Sequence, residues 1–327
     1  FPEFIENILN EYYEKIKTID DFQYNGEDFS KLLVSNVKNV NAYLINSVNS
    51  YYKWNPFEAY KLLDELLNYK NAEVDFFDYL PRTKLSHPET NYYRIRYSRD
   101  NILFNDYDLF HIPFQLREKV KTQRYSIPGY PSLYLSNSIY VAWEELGRPD
   151  FNQFQAARFE VKKDKYLELF TLIHPNQIRE EYFSKKPYNF DKNLLKFLIS
   201  WPLIFLCSVK VALPDDIFKP EYIIPQLLFQ WIKNNIDSYH GIKYFCNHVN
   251  YSGKSKGEFY NVVFPTHENE SKGYCNKLKS YFYMTNPVSN QLIDALTGGQ
   301  EFIYNTKESI HPDIVKVEII KDKEYPY

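Results

Sequence analysis

The sequence predicts an α+β protein built in two parts. Residues 1 to about 81 carry apolar side chains at helical spacing. From about residue 91 the apolar pattern falls into short runs of period two, separated by further helical stretches. The charge shifts at the same place. Residues 1–81 hold 14 acidic residues, 7 lysines and no arginine, a net of −7, against −3 for the whole chain of 327 residues, which leaves +4 for the remainder. A boundary near 82–90, around Pro81, His87 and Pro88, therefore divides a helical N-terminal domain (1–85) from a mixed domain (86–327).

Phe4, Ile5, Ile8, Leu9 and Tyr12 mark the first helix, and Leu32, Leu33, Val37, Val40, Tyr43, Leu44 and Val48 the second. Trp54 to Asn68 is a third, since Asn55-Pro56 suits a helix start. Tyr93-Arg94-Ile95-Arg96-Tyr97 reads as a strand with both arginines on one face. Leu133 to Ser136 is a short strand, and Ser138 to Leu146 is a helix that Gly147 closes. Phe154 to Val161 and Tyr166 to Leu172 are strands, and Asn193 to Leu206 and Tyr222 to Ile236 are helices. Gly241 to Cys246, Tyr260 to Pro265 and Ile314 to Ile320 read as further strands.

Composition excludes several classes. With 44% hydrophobic and 25% charged residues the chain is not intrinsically disordered. A net charge of −3 disfavours a dedicated nucleic-acid binder. The longest apolar stretch, Leu194 to Val211, is broken by Lys196, Trp201-Pro202 and Lys210, so no membrane span is expected. The polar, acidic opening does not read as a signal peptide. Three cysteines without a CxxC spacing suit a reducing, cytoplasmic setting and argue against a disulfide scaffold. No His pair stands at metal-ligand spacing with a carboxylate, so no metal is expected. GxGxxG, GxxxxGK[ST] and GxSxG patterns are absent.

All nine arginines lie between Arg82 and Arg179, although lysine dominates elsewhere. Arginine brings a planar fork that grips phosphate or carboxylate in two places. That distribution points to a need for the fork in this stretch; ordinary surface ion pairing is the blander explanation. Gln123-Arg124-Tyr125-Ser126-Ile127-Pro128-Gly129-Tyr130-Pro131 forms a stiff, aromatic turn before a strand, suited to a flat anionic ligand or simply to a turn. Glu144-Glu145 ends the helix 138–146, where the macrodipole disfavours a carboxylate. With Ile139, Ala142, Trp143 and Leu146 as the buried stripe, a helical wheel puts Glu144 opposite it, in solvent, and Glu145 at its edge. Glu145 is thus the better site candidate. His111, flanked by apolar residues, reads first as a core or turn histidine.

These segments together resemble the RES domain family. The resemblance runs from about Asn91 to Pro265. It is carried by Tyr93-Arg94-Ile95-Arg96, Phe110-His111-Ile112-Pro113-Phe114, Gln123-Arg124-Tyr125-Ser126 through Ser136, Ala142-Trp143-Glu144-Glu145, Ile224-Pro225-Gln226 and Gly241-Ile242-Lys243-Tyr244. It implies an ADP-ribosyltransferase-like fold and a bacterial toxin or defence effector that consumes NAD⁺. The nicotinamide–ribose bond would break, with phosphate, water or a protein side chain as acceptor. Arg94 and Glu145 would be catalytic, and Arg124, Tyr125, Ser126, Tyr134, His111 and Gln226 would contact NAD⁺. The family serine has no counterpart before the helix near Tyr222, which leaves Gln226 or Ser126 to make its contact. NAD⁺ is then a substrate, inorganic phosphate a co-substrate, and no cofactor is needed. The implied partners are an antitoxin, of Xre type or docking through the N-terminal helices, and a second copy in a homodimer. Residues 1–81 resemble HEPN-like helical modules without their Arg-to-His nuclease motif. A transferase acting on a protein, or a catalytically weak binding module, is the alternative.

Overall fold

The computed structural model describes residues 1–19, 22–24, 27–70, 75–86, 91–98, 104–105, 107–183, 191–249, 259–267 and 270–289. In chain order its elements are α1 (Pro2–Lys17), β1 (Gln23–Tyr24), β2 (Glu27–Asp28), α2 (Ser30–Tyr52), α3 (Pro56–Leu67), α4 (Phe76–Tyr79), β3 (Arg82–Ser86), β4 (Asn91–Tyr97), β5 (Ser132–Ser136) and α5 (Ile139–Glu145). They continue with β6 (Phe154–Val161), β7 (Tyr166–Thr171), α6 (Pro175–Phe183), α7 (Lys192–Ser208), α8 (Ile223–Asn234), β8 (Gly241–Phe245), β9 (Tyr260–Pro265), α9 (Asn276–Lys279), β10 (Phe282–Met284) and β11 (Val288–Ser289). The architecture is α+β, as the periodicities predict. The strand expected at Ile314 to Ile320 lies outside the described residues.

The chain forms two units. The first comprises Phe1–Thr83, Thr122–Ile127 and Phe170–Asn235; the second comprises Lys84–Lys121, Pro128–Leu169 and Ile236–Tyr327. The chain leaves the helical unit close to the boundary that its charge marks, but returns to it twice. The helical unit is therefore not the contiguous segment 1–85, and the remainder is not one domain of 86–327.

The reason lies in how α7 is completed. α7 is apolar almost all round, with Leu194, Leu195, Ile199, Leu203, Ile204 and Cys207 buried, and it packs against α2. The Asp191 side chain caps it, accepting from the backbone N–H groups of Asn193 and Leu194. Pro202 stands inside the helix and has no N–H to offer the carbonyl of Leu198, one turn back. The Tyr12 hydroxyl of α1 supplies the missing donor at 2.7 Å, and its ring stacks on Trp201 with centroids 4.1 Å apart. Burial raises the Tyr12 phenol pKa, so this donor stays protonated. On the other side of the unit, the buried Trp231 of α8 donates its indole N–H to Asp64 of α3 at 3.0 Å. Segments far apart in sequence thus share one core.

In the second unit β10, β6, β4, β5, β9 and β8 follow one another as an antiparallel sheet, and β11 also pairs with β6. β7 and β3 complete the sheet of nine strands. Tyr92, Leu133, Leu135, Phe159, Val262 and Phe264 form the main core on one face. On the other face α5 covers Tyr93, Ile95, Phe154 and Ala156 through Ile139 and Ala142. Gly147, at φ +82°, ends α5 as expected.

The bond from Tyr12 to α7 has a measurable consequence. Tyr12→Phe leaves the Leu198 carbonyl without its partner, which costs about 1–2 kcal/mol. Urea unfolding followed by tryptophan fluorescence should show that loss. A midpoint equal to wild type would mean that the carbonyl does not depend on Tyr12.

Candidate functional site

β4 positions the first group. It pairs with β6 over seven residues, from Asn91 opposite Glu160 to Tyr97 opposite Phe154. Its pairing with β5 is confined to Tyr93 opposite Ser136. β4 and β5 therefore part, and Arg94 lies at the parting. Its guanidinium donates to the backbone carbonyl of Tyr134 on β5 at 3.0 Å, in place of a ladder bond. Burial, and then the neighbouring charge of Arg96, draws its pKa down to about 10, so it remains cationic at neutral pH. Among the described residues no carboxylate pairs with it. Its hydrogen bond among those residues goes to a neutral carbonyl, a costly arrangement for a partly buried cation.

α5 positions the second group, and here the wheel is corrected. Glu144, expected in solvent, has a side chain only 3% exposed, and Leu146, expected in the core, is 41% exposed. The helix is covered on two sides. Ile139 and Ala142 face β4 and β6, while Val141 meets Cys246, Val249 and Phe259. Glu144, three residues on from Val141, shares that second side. It tolerates burial because the Nε of Arg148 bonds it at 2.8 Å, with Arg148 itself at φ +58°. The Tyr140 hydroxyl bonds it too; burial first, then Glu144, pushes that phenol up to about 12.

Glu145 remains the accessible carboxylate of the pair, with its side chain 33% exposed. Its Oε1 accepts from the Asn261 side-chain amide at 2.7 Å, and the amide oxygen of Asn261 accepts from the Ser136 hydroxyl at 2.6 Å. Its Oε2 lies 3.7 Å from Nε2 of His248. The Cys246 thiol also bonds Glu145; burial above all, and then that carboxylate, raises the thiol pKa. From sequence, Cys246 with His240 and His248 suggests a Cys–His pair but reads first as a loop beside a strand end, and Asn261 and Ser136 are not singled out as site residues. A signal for Asn261 was available in its place as a polar residue opening the apolar run Val262-Val263-Phe264.

By strand alternation Arg94 starts on the face of Tyr92, whereas Ser136 and Asn261, and with them Glu145, lie on the face of Tyr93. Arg94 and Glu145 do not touch each other. Arg94, Tyr134, His111 and Glu145 belong to the second unit, and Arg124, Tyr125, Ser126 and Gln226 to the first.

The latter four knit one corner of the helical unit. Arg124 (3.2 Å) and the Tyr125 hydroxyl (3.0 Å) both donate to the Cys207 carbonyl at the C-terminal end of α7, where a cation is favourable. Ser126 accepts from the Gln123 N–H and donates to the Gln123 carbonyl, so its hydroxyl is already engaged. Gln226 donates to the same carbonyl. His111 is also occupied. Its Nε2 accepts from the Cys275 N–H at 2.8 Å, so the proton sits on Nδ1, which donates to the Ile112 carbonyl at 2.7 Å. Burial, and to a lesser degree Arg94 and Lys279, lowers its pKa to about 4. Among the described residues no group of three or more His, Cys, Asp or Glu could hold a metal ion. No described helix is long and apolar enough to cross a membrane.

Against known proteins, one comparison bears on this arrangement. The chain is similar to a bacterial protein named "Putative toxin YopC". That protein, from Bacillus subtilis (strain 168), is 29% identical over 328 residues, spanning 97% of this chain and 73% of its own. No family profile matches the chain. No solved structure matches it.

The neutral His111 predicts a pH dependence. Between pH about 6.5 and 4 the unfolded chain takes up a proton that folded His111 refuses, so stability falls as pH drops through that window. The His111 share approaches about 3 kcal/mol. Unfolding free energies at pH 7 and 4.5 should differ less in His111→Gln than in wild type by that order. Parallel profiles would show that His111 titrates normally.

Proposed function

We propose that the chain is a toxin that degrades NAD⁺ by cleaving its nicotinamide–ribose bond. The observation that carries this reading is the pairing of chemistries in the second unit: a partly buried guanidinium with no carboxylate partner among the described residues, and a carboxylate gripped at one oxygen by a buried amide with its side chain still 33% exposed. A guanidinium in that state is a seat for a pyrophosphate. The resemblance of the segments around Arg94, Tyr134 and Glu145 to RES domains, and the name of the B. subtilis relative, point the same way.

The substrate would lie along the parting of β4 and β5, its pyrophosphate against Arg94 and its nicotinamide ribose against Glu145. The bond between C1′ and the pyridinium nitrogen breaks, and its electron pair leaves with neutral nicotinamide. The ribose then carries oxocarbenium-like positive charge, which the Glu145 carboxylate stabilises. An oxygen of inorganic phosphate or of water closes on C1′, and with water a proton passes to the carboxylate or to solvent. Nicotinamide leaves a cationic ring readily, so the mechanism calls on no metal. A toxin of this kind needs restraint in its own cell, so an antitoxin partner belongs to the proposal.

The test is to incubate the protein with NAD⁺, with and without phosphate, and to separate the products. Nicotinamide release is expected, with ADP-ribose-1″-phosphate appearing only when phosphate is present. Glu145→Gln should slow release by about 10²–10⁴-fold, while Glu144→Gln, if folded, should keep most of it. NAD⁺ left intact by the wild-type protein, or undiminished turnover in Glu145→Gln, would refute the reading.

A further inference from the structure

We infer that Asn261 and Ser136 are positioning residues for Glu145. This rests on the reading of Glu145 as the group beside the reacting ribose.

Asn261 lies in β9 beside Val262, Val263 and Phe264 and is almost fully buried, as is Ser136 opposite it in β5. Burying an amide costs free energy unless its ends are bonded. Two features go beyond satisfying a core. The direction of the chain is fixed. The Ser136 hydroxyl donates to the amide oxygen, which forces the amide N–H₂ group toward Glu145; turned over, the amide would set oxygen against oxygen. The chain also ends on a charged group in the last turn of α5, where the helix macrodipole opposes a carboxylate. A neutral acceptor would satisfy Asn261 without that opposition.

The effect of the relay on Glu145 is specific. A glutamate side chain has three rotors, and a free one samples many positions. The bond from Asn261 holds Oε1 in place, while Oε2 lies 3.7 Å from Nε2 of His248 and the Cys246 thiol also bonds the carboxylate. Ser136 touches only Asn261 in this chain of bonds, so its influence on Glu145 passes through the amide.

The test compares wild type, Asn261→Ala, Ser136→Ala and the double variant in NAD⁺ turnover, after thermal unfolding has shown which are folded. Asn261→Ala should lower kcat by about 30–100-fold with KM within about threefold, the pattern of a misplaced catalytic group. Ser136→Ala, which removes a single hydroxyl, should lower kcat by about tenfold. The double variant should match Asn261→Ala, because Ser136 has nothing left to act through. A folded Asn261→Ala with wild-type kcat, or losses that multiply in the double variant, would overturn the inference. If Asn261→Ala does not fold, unchanged kcat in Ser136→Ala overturns it instead. The two failures differ. Wild-type protein that leaves NAD⁺ intact removes the functional reading and this inference with it. Active wild type, inactive Glu145→Gln and fully active Asn261→Ala remove this inference alone.

Discussion

The second unit is organised around the parting of β4 from β5. β4 gives its full length to β6, β5 gives its full length to β9, and the two meet at one residue pair. A carbonyl left unpaired inside a sheet would be costly. Arg94 answers the Tyr134 carbonyl with its side chain, and so a cation is drawn into the seam. The remaining N–H groups of that guanidinium meet no carboxylate among the described residues. The proposed chemistry depends on this: the same bond that completes the sheet leaves a partly buried cation within it. The carboxylate at Glu145 belongs to the neighbouring face, held from β9 by Asn261.

Element types and extents were largely legible in the sequence, because each depends on local spacing. Asn55 caps α3 at the Glu58 N–H, as the Asn-Pro pair suggests. β6 runs from Phe154 to Val161, as its alternation suggests. Burial around α5 was not legible. A wheel assumes one buried side, and the second side of α5 is made by Cys246, Val249 and Phe259, about a hundred residues later. The wheel separates the two glutamates for the wrong geometric reason: Glu145 is the more exposed because Arg148 and Tyr140 hold Glu144 in the core. The domain boundary failed in the same way. Charge marks where the chain first leaves the helical unit, but not the return of α7 and α8 to bury its apolar sides.

The confinement of arginine to one stretch has a structural meaning that composition did not reveal. Arg82, Arg94, Arg96 and Arg124 each donate to a main-chain carbonyl, while Arg148 bonds the Glu144 side chain and Arg158 the side chains of Glu160 and, across the β4–β6 pair, Asn91. The fork is used here chiefly to complete backbone hydrogen bonding at strand and helix ends, where lysine's single ammonium point charge is less suited. Arg99 lies outside the described residues. Arg94 differs from the other five in combining a strongly lowered pKa, caused by burial, with the absence of any carboxylate partner among the described residues.

The central claim is that Arg94 seats a pyrophosphate, and phosphorus reports on that directly. In ³¹P NMR of NAD⁺ or ADP-ribose, added wild-type protein should shift or broaden the pyrophosphate resonances in a saturable way. Folded Arg94→Met should leave them where they stand in free solution. Equal perturbation by both proteins, or none by wild type at millimolar ligand, would contradict the account.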